Sequence, residues 1–137
     1  MKRLLMLSIV LLLSGLTFAQ DGKKTTTESG LTYIRLLDGD GASPKDGDKV
    51  KIWFIGRLST GKVFEKVEKS VKFTVGDKGL IPGFSEALTL MKEGERARFI
   101  MPPEIAYGEK GSTALGGVVV VPPNETISFE ILMQKVY

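Results

Sequence analysis

The residues available for chemistry are defined first by two absences. The 137-residue chain has no histidine and no cysteine. Ser-His-Asp and Cys-His nucleophilic catalysis are therefore impossible, as are disulfides and zinc sites built on Cys or His. Carboxylates, Lys, Tyr, Ser/Thr, backbone groups and apolar surface remain. No Asp/Glu cluster has a spacing that suits a metal ion or a paired-carboxylate glycosidase, so no metal and no cofactor is expected. The residues that stand out are aromatic. Phe54, Phe64, Phe73, Phe99 and Phe129 lie in alternating stretches, Phe84 lies at the start of a helical pattern, and Tyr107 lies in a turn. The phenylalanines could be plain core or the walls of an apolar pocket. Tyr107 and Glu65 could be ordinary turn and surface residues or the polar groups at its edge.

The elements that must position these residues are legible. In Leu80-Ile81-Pro82-Gly83-Phe84, Pro82 fits the first turn of a helix, where it has no needed N–H to lose. Phe84, Ala87, Leu88 and Met91 fall at i, i+3, i+4 and i+7, one apolar face over about two turns. Gly94 is read as the residue that ends this helix. Strands are expected at Leu31–Leu37, from Val50 to about Leu58, from Val63, across Val71, Phe73 and Val75, from Glu95 to Met101, and from Thr126 to Val136. The Val50 strand is apolar on both faces near its middle, which places it centrally in the sheet. Ser59-Thr60-Gly61-Lys62 reads as a hairpin turn, Glu104 to Gly108 as a turn or single helical turn, and Glu109 to Asn124 as an irregular flap. The expected class is α+β: a curved antiparallel β-sheet wrapped around one short amphipathic α-helix.

The chain starts with a different kind of segment. Lys2 and Arg3 precede an apolar run from Leu4 to Leu16, and Thr17-Phe18-Ala19 offers small residues at −3 and −1 of a cut after Ala19. This is the pattern of a signal peptide over residues 1–19. A retained anchor is the rival reading, but the run is shorter than the roughly 20 residues of a spanning helix. Residues 20–30 read as a flexible polar linker, and residues 31–137 as one domain. Removing Lys2 and Arg3 takes 19 basic residues to 17 against 16 acids, so the net charge falls from +3 to +1. Nothing in that balance suggests nucleic acid, and the membrane is contacted only through the leader before cleavage. The expected location is periplasmic or secreted. In a eukaryote it would be the ER lumen, with Asn124-Glu125-Thr126 as a glycosylation acceptor.

Taken in order, the pieces resemble the FKBP-type peptidyl-prolyl cis-trans isomerases, the macrolide-binding immunophilins, over about Leu31 to Tyr137. Val50-Lys51-Ile52-Trp53-Phe54-Ile55-Gly56 is similar to the strand that carries the family's Tyr-Thr-Gly. Gly61-Lys62-Val63-Phe64-Glu65 is similar to its Gly-Lys-x-Phe-Asp hairpin, and Leu80-Ile81-Pro82-Gly83-Phe84 to its Val-Ile-x-Gly-Trp. Gly94-Glu95-Arg96-Ala97 resembles its Gly-x-x-Ala turn into a strand. Ala106-Tyr107-Gly108 matches its Ala-Tyr-Gly, and Val121-Pro122-Pro123-Asn124-Glu125-Thr126 its Ile-Pro-Pro-x-x-Thr. Each motif alone is weak; together, in register, they are specific.

The implied chemistry suits a chain without histidine. Rotation about a peptide bond costs about 18–20 kcal/mol because resonance is lost. For X–Pro the isomers are close in energy yet exchange slowly. No bond is made or cut, so a catalyst need only favour the twisted amide over the planar one. The twisted form has less charge separation, so a dry apolar pocket favours it, and donors to substrate carbonyls hold the geometry. The resemblance implies a pocket of Phe54, Phe64, Glu65, Val71, Leu80, Ile81, Phe84, Tyr107, Val121 and Phe129. Phe84 would be the floor, Phe64 and Phe129 walls, and Val71 and Val121 the rim. The Ile81 N–H and the Tyr107 hydroxyl would be the donors. Implied partners are proline-containing polypeptides and immunosuppressant macrolides, with the chain a monomer.

Three departures from the family pattern bear on rate and macrolide affinity rather than on fold. Phe54 stands where tyrosine is usual, Glu65 where aspartate is usual, and Phe84 where tryptophan is common. The polar pair that the family forms at the pocket edge cannot form here in the same way. The alternative function is an FKBP-fold chaperone or peptide-binding module with weak or no catalysis, a role the apolar Val118–Val121 stretch would also suit.

Overall fold

A computed structural model describes residues 23–137. The expected signal peptide and the first residues of the linker lie outside the described residues. The strands are β1 (Lys24–Thr26), β2 (Thr32–Leu37), β3 (Lys49–Leu58), β4 (Val63–Lys66), β5 (Val71–Thr74), β6 (Arg96–Met101), β7 (Ser112–Thr113), β8 (Val119–Val121) and β9 (Ile127–Val136). The helix α1 spans Pro82–Leu90, and a single 3-10 turn spans Pro103–Ile105.

The main sheet runs β1-β2-β6-β9-β3-β4, with β5 also paired to β3, and every pairing is antiparallel. β3 is an interior strand, flanked on both sides, though next to the edge rather than at the middle of the order: β9 lies along one side, β4 and β5 share the other. Register shifts interrupt the β2–β6, β3–β9 and β3–β4 pairs. Each irregularity increases local twist, which is how a sheet curls around a helix. Alternation decides the inner face. Ile52 and Phe54 on β3, Ala97, Phe99 and Met101 on β6, and Ile127, Phe129, Ile131 and Met133 on β9 are all buried. Against them α1 packs Phe84, Ala87 and Leu88, and Met91 completes the stripe.

The helix ends earlier than Gly94 suggests. Met91, at φ −91° and ψ 156°, is already extended. Gly94 (φ +89°) serves the following turn instead, where the Glu95 N–H donates to the Lys92 carbonyl at 3.0 Å. Glu95, 1% exposed, fastens that turn from inside. Its carboxylate accepts the Lys92 N–H at 2.9 Å, the Arg35 Nε–H at 3.3 Å and the Tyr33 hydroxyl. Burial pushes its pKa up, against the opposing pull of the Lys92 amide.

The linker reading is corrected over residues 24–30. β1 pairs with β2, Lys24 opposite Ile34, and a turn follows in which the Thr27 N–H donates to the Leu31 carbonyl at 2.9 Å. The Thr27 hydroxyl then donates to Glu86 Oε1 at 2.7 Å and the Ser29 hydroxyl to Glu86 Oε2 at 2.5 Å. A polar composition concealed this, because the partner lies on the outer side of α1 and far along the chain. Replacing Thr27 by Val together with Ser29 by Ala is expected to cost about 1–2 kcal/mol. Two bonds to a carboxylate are lost, discounted because both sites meet solvent. Urea unfolding checks this; an unchanged midpoint would mean that water replaces both hydroxyls without loss.

Candidate functional site

The site is built where β3, β4, β9 and the start of α1 meet, and one small residue makes the meeting possible. Gly56 pairs with Phe129 on one side and Glu65 on the other. A Cβ at this position would lie 2.7 Å from the Phe129 ring and 2.8 Å from the Phe64 ring. Its absence lets the two aromatic rings close over the strand, with centroids 5.5 Å apart at 72°.

Around them the rings meet edge to face. Phe84 stands 5.0 Å from Phe129, 5.4 Å from Phe54 and 5.8 Å from Phe73. Phe54 stands 5.8 Å from Phe129 and 6.0 Å from Phe73, and Phe64 touches Tyr107 at 6.3 Å. T-shaped pairs of this kind exceed their burial by about 0.5–1.5 kcal/mol each, which stiffens the walls. The rings leave an open-mouthed cavity of about 240 Å³.

Of the residues expected at the site, Phe54, Glu65, Leu80, Ile81, Phe84, Tyr107 and Phe129 line this cavity. Phe64 stands behind, braced against Phe129 and Tyr107. Val71 and Val121, expected at the rim, are not on its wall. Val71 is held opposite Ile52 by strand pairing, and Val121 is 1% exposed within the core. Two lining residues escaped the sequence reading, Phe73 and Gly79. Phe73 alternates like any core residue, so period alone could not separate it from Phe99. Gly79 contributes backbone in a turn where its N–H donates to Asp77 Oδ1 at 2.8 Å. The Asp77-Lys78-Gly79 cluster was the available signal.

The polar groups at the cavity are few. Ile81 is the residue before α1, at φ −63° and ψ 147°. Its carbonyl accepts the N–H groups of Phe84 at 3.1 Å and Ser85 at 3.3 Å, whereas its own N–H has no acceptor among the described residues. The Tyr107 hydroxyl likewise has no partner among them. Burial, and then the charge of Glu65, push the Tyr107 pKa up, so its proton is retained at neutral pH. Partial desolvation at the cavity mouth also pushes the carboxyl of Glu65 up, although the residue as a whole is exposed. The arrangement presents an apolar slot and two free donors. It offers no nucleophile and no general base with a partner, and no metal-ligating group is found among the described residues.

Residues 41–134 match the profile of the FKBP-type peptidyl-prolyl cis-trans isomerase family. The chain belongs to that family. Among FKBP-type relatives, it is 34% identical over 111 residues to the peptidyl-prolyl cis-trans isomerase Fkbp12 of Drosophila melanogaster, covering 78% of this chain and 98% of that one. It is 37% identical over 112 residues to the FKBP-type 22 kDa peptidyl-prolyl cis-trans isomerase of Escherichia coli, covering 81% of this chain and 52% of the relative. The crystal structure of a peptidyl-prolyl cis-trans isomerase from Pseudomonas syringae pv. tomato superposes with a TM-score of 0.75 at 27% identity, covering 86% of this chain and 83% of that one. The chain spans about half the length of the bacterial curated FKBP-type relatives and nearly all of the Drosophila protein. The matched FKBP-type span starts after β2, so β1 and the Thr27–Ser29 turn that holds Glu86 lie outside it.

Proposed function

We propose that this chain catalyses cis-trans isomerisation of X–Pro bonds in proline-containing polypeptides. One observation carries this reading: an aromatic cavity of about 240 Å³ with two donors beside it that have no partner among the described residues. A proline ring fits against Phe84, between Phe54 and Phe129. The flanking carbonyls then come within reach of the Ile81 N–H and the Tyr107 hydroxyl. Water is displaced from the amide, so the less charge-separated twisted form is favoured over the planar one. The donors hold that geometry. Macrolide immunosuppressants are proposed as competitors for the same slot.

Replacing Tyr107 by Phe tests the assignment. The hydroxyl has no partner among the described residues, so its removal should leave the thermal midpoint nearly unchanged. Loss of one hydrogen bond, about 0.5–1.5 kcal/mol, should lower kcat/KM about three- to tenfold. Proline-limited refolding of a test protein measures this. Unchanged acceleration would remove Tyr107 from the mechanism, and no acceleration by the parent chain would overturn the proposal.

A second reading has its own support. The β7–β8 hairpin presents Leu115, Val118 and Val119 to solvent, at 103%, 65% and 58% exposure. Such a patch suits transient capture of unfolded chain, so we propose a chaperone contribution alongside isomerisation. Suppression of aggregation that survives Tyr107→Phe and is lost in Leu115→Ser/Val119→Ser would support it. The leader pattern supports an exported, periplasmic or secreted location. Recovery from an envelope fraction of a chain that starts at Gln20 would bear on both cleavage and placement.

A further inference from the structure

Glu65 is the charged side chain on a cavity wall that is otherwise apolar apart from the Tyr107 hydroxyl and backbone groups. It projects from β4 opposite Gly56. Phe54, which shares the wall, has no hydroxyl to offer it. No ion pair or hydrogen bond engages its carboxylate among the described residues, and burial is the one influence that shifts its acidity. The adjacent Lys66 is exposed and, by strand alternation, points to the other side of β4. Tyr107 lines the same cavity, and Tyr107 feels its charge. Glu65 is exposed at the mouth of this apolar cavity, so its carboxylate is served by water in the empty protein and exchanges that water for a cation or donor that arrives.

Resting on the isomerase reading, we infer that Glu65 makes this site selective for prolines flanked by lysine or arginine. A ring seated on Phe84 leaves its neighbouring residue to pass the cavity mouth, where Glu65 stands. There a cationic side chain gains a partner that an apolar isostere cannot supply.

The test uses short peptides that differ only at the residue beside proline: lysine, arginine, norleucine or glutamate. Peptide affinity is read by NMR titration and isomerisation by exchange spectroscopy on the same samples. The parent chain should favour lysine over norleucine by about two- to fivefold, less so at high salt. Glu65→Gln should bring that ratio to about one, Glu65→Lys should turn it toward glutamate, and Lys66→Gln should leave it in place. A ratio near one in the parent, or one that survives in Glu65→Gln, overturns the inference. Binding without exchange would overturn the isomerase reading while the affinity ratio still decides this one.

Discussion

Phe84→Ala is expected to lower stability by about 3–5 kcal/mol and to abolish isomerase activity. The ring is 4% exposed and touches Phe54, Phe73 and Phe129 at once, so its removal leaves a cavity that those rings cannot refill without leaving their edge-to-face geometry. With no disulfide in the chain, nothing covalent offsets the loss. For a domain of this size the thermal midpoint should fall by roughly 10–25 °C. Thermal unfolding and kcat/KM, measured well below the lowered midpoint, separate two roles. If the folded variant still binds and isomerises proline peptides, Phe84 is core and the site lies elsewhere. Phe84→Leu refills most of the volume, so it should recover most of the stability and little of the activity.

The second large effect is expected at Gly56, a position with no side chain at all. A methyl group there would press on Phe129 and Phe64, two rings of the site, from 2.7 and 2.8 Å. Overpacking of this kind costs about 1–3 kcal/mol. The activity loss should be out of proportion to that cost, because both rings must shift away from the slot. Displacement of catalytic groups by about 1 Å can cost on the order of 10²-fold in rate. Gly56→Ala should therefore remain folded, with a modestly lowered midpoint, while kcat/KM falls about a hundredfold. A proportionate loss of both would mean that the wall yields without disturbing the bound proline.

These two residues also mark how far the sequence could be read. Phe84 was visible as the first member of a helical stripe that follows Pro82, and Gly56 as part of a strand motif. What Gly56 permits, two rings meeting across β3, depends on β4 and β9 arriving from different parts of the chain. The turn that binds Glu86 shows the same limit. Thr27 and Ser29 looked like linker because their partner, Glu86, is 59 and 57 positions away. The helix end was misread for a local reason: Gly94 does take a positive φ, but in the turn after the helix rather than at its cap.

By itself, the sequence determined what this protein cannot do and which faces it buries. Without histidine or cysteine, Ser-His-Asp and Cys-His catalysis, thiol chemistry and Cys/His zinc sites are excluded by composition. Two-residue and 3.6-residue periods located β2 to β6, β9 and the helix, because each period reports the side chains that leave water. Periodicity does not report what those side chains meet. Phe99 and Phe73 follow the same alternation, yet Phe99 is fully buried in the core and Phe73 lines the cavity. Core and pocket share one apolar face of one curved sheet, so only the tertiary structure could decide where that face closes on itself and where it stays open. It also decided that Ile81, Tyr107 and Glu65 remain without partners among the described residues beside that opening, since satisfaction of a polar group depends on every element that packs around it.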